Sequence, residues 1–104
     1  MSNVREVAEG TQYQGADEEL AYSVTTTPWG STPTNYSAKA YDESVDEDVT
    51  GDVFKPNTPG KSGDVITLSR LAALEVGHSY RIEVKFTDSD SDIWELYFIV
   101  KCVT

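Results

Sequence analysis

Cysteine, histidine and basic residues are the scarce types in this chain, and each scarcity excludes something. A single thiol, Cys102, excludes an intrachain disulfide. One cysteine with one histidine, His78, excludes the usual zinc sites. Eight bases stand against eighteen acids, a net charge of −10. A nucleic-acid binder needs clustered Lys and Arg to neutralise phosphates, so nucleic acid is excluded as a partner. Long apolar runs are missing too. Leu96-Tyr-Phe-Ile-Val100 is far short of the ~20 residues of a membrane span. Residues 1–10 have no apolar stretch of the kind a secretory leader carries. The expectation is a soluble chain, cytoplasmic as synthesised, and a lone thiol suits a reducing compartment. Helix signals are nearly absent. Ser69-Arg-Leu-Ala-Ala-Leu-Glu75, ended by Gly77, is long enough only for a single helical turn.

What the chain does have is alternation. At 104 residues it has the size of one domain, able to bury roughly 60–65% of its unfolded surface. Leu20, Tyr22 and Val24 alternate with Ala21, Ser23 and Thr25. Tyr36, Ala38 and Ala40 alternate with Ser37 and Lys39. Val65-Ile-Thr-Leu68 is a short apolar run after Gly63. Tyr80, Ile82, Val84 and Phe86 alternate with Arg81, Glu83 and Lys85, and Trp94 to Cys102 alternate likewise. Period two is the signature of half-buried strands. Between the runs lie turn-rich stretches: residues 27–33, residues 55–63 and the polar Thr87-Asp-Ser-Asp-Ser-Asp92. Short strands separated by turns, without helices, predict an all-β antiparallel sandwich of about seven strands. The expected core is Leu20, Tyr22, Val24, Ile66, Leu68, Tyr80, Ile82, Val84, Phe86, Leu96, Phe98 and Val100. Residues 1–10 are expected to be loosely held, and residues 11–104 to form the single domain.

The stretch Leu74-Glu-Val-Gly-His-Ser-Tyr80-Arg-Ile-Glu-Val-Lys-Phe86 resembles the corner before an inner strand of immunoglobulin-like and fibronectin type III domains. Leu74, Gly77 and Tyr80 match its spacing. The resemblance implies a tyrosine corner, in which the Tyr80 hydroxyl bonds back to backbone just upstream. Ile82 stands where an immunoglobulin domain has its second core cysteine, which makes the fibronectin-like variant the nearer one. A vaguer likeness runs through Gly15 to Thr26, Trp29 to Pro33, Ala40 to Asp42 and Asp48 to Thr50. There the chain resembles small immunoglobulin-like proteins encoded among phage and prophage head and tail genes. That likeness implies a structural or accessory role in a virion or its assembly, through protein partners and without catalysis.

Asp88, Asp90 and Asp92 are the most chemical-looking feature. Alternate aspartates can turn oxygens toward one calcium ion. An EF-hand needs Gly and Glu where this chain has Ile93 and Ile99, so only a looser site at a hairpin tip is open. The favoured reading is a polar turn whose Asp and Ser side chains bond their own backbone. Asp42, Glu43, Asp46, Glu47, Asp48 and Asp52 form a second acidic cluster, best read as a charged loop that guards an edge strand.

No catalytic constellation stands out, and the expectation is that the chain is not an enzyme and holds no cofactor. His78 and Ser79 are adjacent, and neighbours in an extended strand point to opposite faces, which disfavours a dyad. Trp29, Tyr97 and Ile99 are candidate partner contacts, the last two sharing the face opposite Leu96 and Phe98. The loop aromatics also leave an adhesion or carbohydrate-binding module, stabilised by calcium, as the alternative. Cys102 alternates with Val100 toward the interior, as a small apolar group.

Overall fold

The computed structural model describes residues 4–6 (backbone only), 11–27 and 30–103. Among them nine strand segments and one helical turn form two sheets. The strands are β1 (Val4–Glu6), β2 (Gln12–Gln14), β3 (Leu20–Thr25), β4 (Thr34–Asp42), β5 (Glu47–Asp48), β6 (Gly60–Ser62), β7 (Val65–Leu71), β8 (Ser79–Thr87) and β9 (Ile93–Cys102). The larger sheet runs β1-β9-β8-β4-β5, with β2 also on β9; the smaller runs β3-β7-β6.

The two long strands β8 and β9 are the frame of the larger sheet. They pair antiparallel over nine residues, from Ser79 opposite Lys101 to Thr87 opposite Ile93. Tyr80, Ile82, Val84 and Phe86 point inward with Leu96, Phe98, Val100 and Cys102, and all eight are buried. Each large apolar side chain taken fully out of water contributes about 1.5–3 kcal/mol, so this hairpin is the main source of cohesion. From the smaller sheet Val24, Ile66, Leu68 and Leu71 close the core, and Phe54 bridges to Leu71.

The outer edge of β4 is covered by local chemistry. The helical turn α1 (Thr50–Val53) sets the Thr50 hydroxyl against β4, where it accepts the Ala40 N–H at 3.0 Å. Asn57 Nδ2 donates to the Ala38 carbonyl at 2.9 Å. Side chains thus occupy backbone groups that would otherwise be open to another strand.

Several expectations change. The larger sheet is mixed, because β1 and β2 run parallel to β9. Alternation carries no strand direction; parallel pairing follows from the chain starting beside its last strand and crossing between sheets before it returns. Val4–Glu6 form β1 along β9. The helical turn expected at residues 69–75 is absent: β7 continues through Leu71, and Ala72 then donates its N–H to the Val53 carbonyl. Leu20 is 37% exposed, since it opens β3 just before a register shift between Ala21 and Ser23. Tyr22 and Trp94 pack against the core but stay half-buried. Strands β1, β5 and β6 went unforeseen because two or three residues rich in Glu, Gly, Lys or Ser have no strand preference of their own.

Candidate functional site

The aspartate loop follows β8 and leads into β9. Asp88 is buried, 7% exposed. Its Oδ1 accepts the N–H groups of Asp90 and Asp92, both at 2.9 Å, and its Oδ2 accepts the Trp94 indole N–H at 2.9 Å. The Asp88 N–H donates to the Asp92 carbonyl, and the Ser91 N–H to the Asp88 carbonyl. Ser89 donates to the Ser31 carbonyl at 3.0 Å, which ties the tip to the loop before β4. The indole bond, aided by the backbone donors, holds the Asp88 carboxyl below the ordinary aspartate value, while burial opposes it. Asp88 thus organises the turn, while Asp90 and Asp92 are exposed. Among the described residues no three His, Cys, Asp or Glu side chains are arranged to hold a metal ion.

Gly30 belongs to this loop by tertiary contact. A Cβ built there would lie 2.5 Å from Asp88 Cβ and Oδ2. Only glycine lets the preceding loop pass this close to the carboxylate. Sequence reading gave Gly30 no role, because its partner is 58 residues away.

The second acidic cluster scatters. Asp42 is buried at the end of β4, whereas Glu43, Asp46, Glu47, Asp48 and Asp52 are exposed. Asp48 Oδ1 accepts both the Thr50 hydroxyl, at 2.7 Å, and the Thr50 N–H, at 3.0 Å. These bonds, hydroxyl first, lower its pKa. The two clusters do not meet: Asp42 pairs with Tyr80 at the start of β8, and Asp88 follows its end.

Tyr80 sits at the corner that its spacing with Leu74 and Gly77 singled out. Its hydroxyl oxygen accepts the Glu75 N–H at 2.7 Å. Leu74 is buried and Gly77 has φ +88°, a left-handed turn that favours glycine. Beside them His78 lies between two carboxylates, Asp42 and Glu75. Its ring nitrogens are therefore engaged away from Ser79, which opens β8 and accepts the Glu43 N–H on its carbonyl. Nothing in the sequence links Asp42 with His78, 36 residues apart.

The outer face of the larger sheet carries its own pattern. Rows across β4, β8 and β9 read Tyr41–Arg81–Ile99, Lys39–Glu83–Tyr97 and Ser37–Lys85–Glu95. The Arg81 guanidinium lies 5.4 Å from the Tyr41 ring centroid, 3.0 Å from Glu83 and 3.4 Å from Glu43. Tyr13 of β2, 62% exposed, stands opposite Lys101. Tyr97 and Ile99 are half-buried on this face, and Trp29 lies outside the described residues. A shallow depression of about 270 Å³ opens among Lys39, Tyr41, Glu83, Lys85 and Glu95. A groove of about 640 Å³ lies along Ala21, Ser69 and Pro56, rimmed by Glu19, Lys55 and Arg70. Cys102 is buried. Among the described residues no helix is long and apolar enough to cross a membrane.

Comparison with family models, curated proteins and solved structures returned no match.

Proposed function

We propose that this chain is an immunoglobulin-like module without catalytic activity, acting through protein contacts as a structural or accessory component of phage or prophage type. The fold part of the reading is supported by strand order. The order β3-β7-β6 against β9-β8-β4-β5 corresponds to the B-E-D and G-F-C-C′ order of immunoglobulin domains. The bond from Glu75 N–H to the Tyr80 hydroxyl supports it further. The parallel β1 and β2 depart from a first strand placed beside the second, and favour the immunoglobulin over the fibronectin variant.

One observation carries the contact role: across β2, β4, β5, β8 and β9 the described side chains of the outer face balance in charge, on a strongly acidic molecule. Lys39, Arg81, Lys85 and Lys101 are there, with Glu43, Glu83, Glu95 and Asp48. These four bases stand with four acids, whereas the whole chain has eight bases against eighteen acids. The same face holds Tyr13, Tyr41, Tyr97, Ile93 and Ile99. Tyrosine and arginine among balanced charges suit protein contact, since a partner meets little repulsion and buries aromatic area.

The test is to purify particles from the encoding phage or induced prophage and look for the chain by mass spectrometry. Its presence, and its loss with Ile99→Lys while the melting temperature holds, supports the reading. Absence from particles overturns the virion role. Calcium-dependent binding to a glycan array instead favours the adhesion or carbohydrate-binding alternative.

A further inference from the structure

Three titratable side chains from separate stretches of chain meet where β8 begins. His78 Nδ1 lies 2.6 Å from Asp42 Oδ2, and His78 Nε2 lies 3.3 Å from Glu75 Oε2. A neutral imidazole has one N–H donor and one lone pair. Nδ1 is within hydrogen-bond distance of Asp42 and Nε2 within ion-pair distance of Glu75, so the imidazolium serves both carboxylates at once, which a neutral ring does not. Asp42 is buried, and its other oxygen accepts the Ser44 N–H at 3.0 Å in the turn after β4. Ser44 Oγ accepts the Ser79 N–H at 3.1 Å, so the turn is fastened to β8 as well. The His78 carbonyl accepts the Cys102 N–H at 3.0 Å, which anchors the histidine backbone to β9.

We propose that His78 is a protonated latch holding the β4–β5 turn against the corner before β8, and that its deprotonation releases that turn. Once the ring is neutral, Asp42 is left buried without its cation and Glu75 loses its partner. An uncompensated buried charge is strongly unfavourable, and the exposed turn is the segment free to move. The titratable groups against the ring are Asp42 from β4, Glu75 in the corner and Tyr80 from β8, while β9 meets His78 through the Cys102 N–H and the turn reaches the neighbouring Ser79 carbonyl through the Glu43 N–H. Arg81, the nearby cation, is committed to Glu43 and Glu83. The bond to Asp42 raises the His78 pKa above its ordinary value, burial opposes this, and Coulombic attraction from Asp42 and Glu75 adds to it. A raised histidine pKa contributes stability that is complete below the unfolded value and lost as pH rises through the folded one. The latch therefore opens on the alkaline side.

The chain has one histidine, so its ring resonances are unambiguous. Nitrogen NMR should show both ring nitrogens protonated at neutral pH, with a midpoint above that of free histidine. The Ser44, Val45 and Glu75 amides should shift with the same midpoint. Glu75→Gln should lower the midpoint, and Asp42→Asn should lower it further; if Asp42→Asn does not fold, Glu75→Gln carries the test. His78→Gln should abolish the alkaline response of those amides. A ring with a single protonated nitrogen at neutrality overturns the proposal. So do turn amides that ignore the ring's titration, or that keep their response in His78→Gln.

Discussion

Asp88 and Asp42 are both buried aspartates in acidic stretches, at opposite ends of β8, and they are satisfied in different ways. Asp88 collects three neutral donors, two from its own turn and one from Trp94. None of these donors titrates near neutral pH, so that end is insensitive to alkali. Asp42 has one backbone donor and one histidine. Its cation is lost once pH rises through the raised pKa of His78. A buried carboxylate thus makes a rigid loop when its partners are neutral N–H groups, and a pH-sensitive joint when its partner is an imidazole.

Variants at each end sharpen this contrast. Asp88→Ala should produce the largest fall in melting temperature of the set, because it strands two backbone donors and the Trp94 indole. Hydrogen exchange should speed up at residues 90–92 and leave Ser44 unchanged. Gly30→Ala should cost about 1–3 kcal/mol in a denaturant titration, as its Cβ has to displace Asp88; an unchanged midpoint would mean that the two loops are not in contact. Tyr80→Phe should cost about 1 kcal/mol by deleting the corner hydrogen bond, and a neutral thermal melt would remove that bond from the account.

Acid and alkali should act on opposite ends of the molecule. Asp88 has a lowered pKa, so its stabilisation is present above the unfolded value and lost as pH falls through the folded one. The His78 joint behaves the other way and weakens as pH rises. Amide exchange mapped against pH should therefore loosen residues 88–92 in acid and residues 42–46 as pH rises through the raised pKa of His78. Loosening of both ends together would break the comparison. The smallest effects belong to the surface. Millimolar calcium should leave the melting temperature and the Asp90 and Asp92 amides unmoved, since Asp88 already spends both oxygens on the protein. Ile99→Lys should stay within about 0.5 kcal/mol of the parent on a denaturant curve.

The hairpin of β8 and β9 was legible because seven alternating residues from Tyr80 to Phe86 and nine from Trp94 to Cys102 specify strand and face on both sides of a short polar turn. The corner was legible because Leu74, Gly77 and Tyr80 lie within one short stretch. Leu20 misled because a register shift two residues on changes what that end of β3 covers. The acidic loops were legible as loops only. Whether an aspartate among them is buried depends on donors that arrive from elsewhere: Trp94 for Asp88 and His78 for Asp42.

The sequence by itself determined the β character of the chain, most of its inward-facing side chains, its acidic balance and the turn at Tyr80. All of these follow from residue type and from spacings of a few positions. Tertiary structure alone decided the parallel seating of β1 and β2 on β9, the contact of Gly30 with Asp88, the gathering of bases and tyrosines on the outer face of the larger sheet and the bridge from Asp42 through His78 to Glu75. Those depend on which distant segments meet when the two sheets close on one core, and local alternation does not encode that choice.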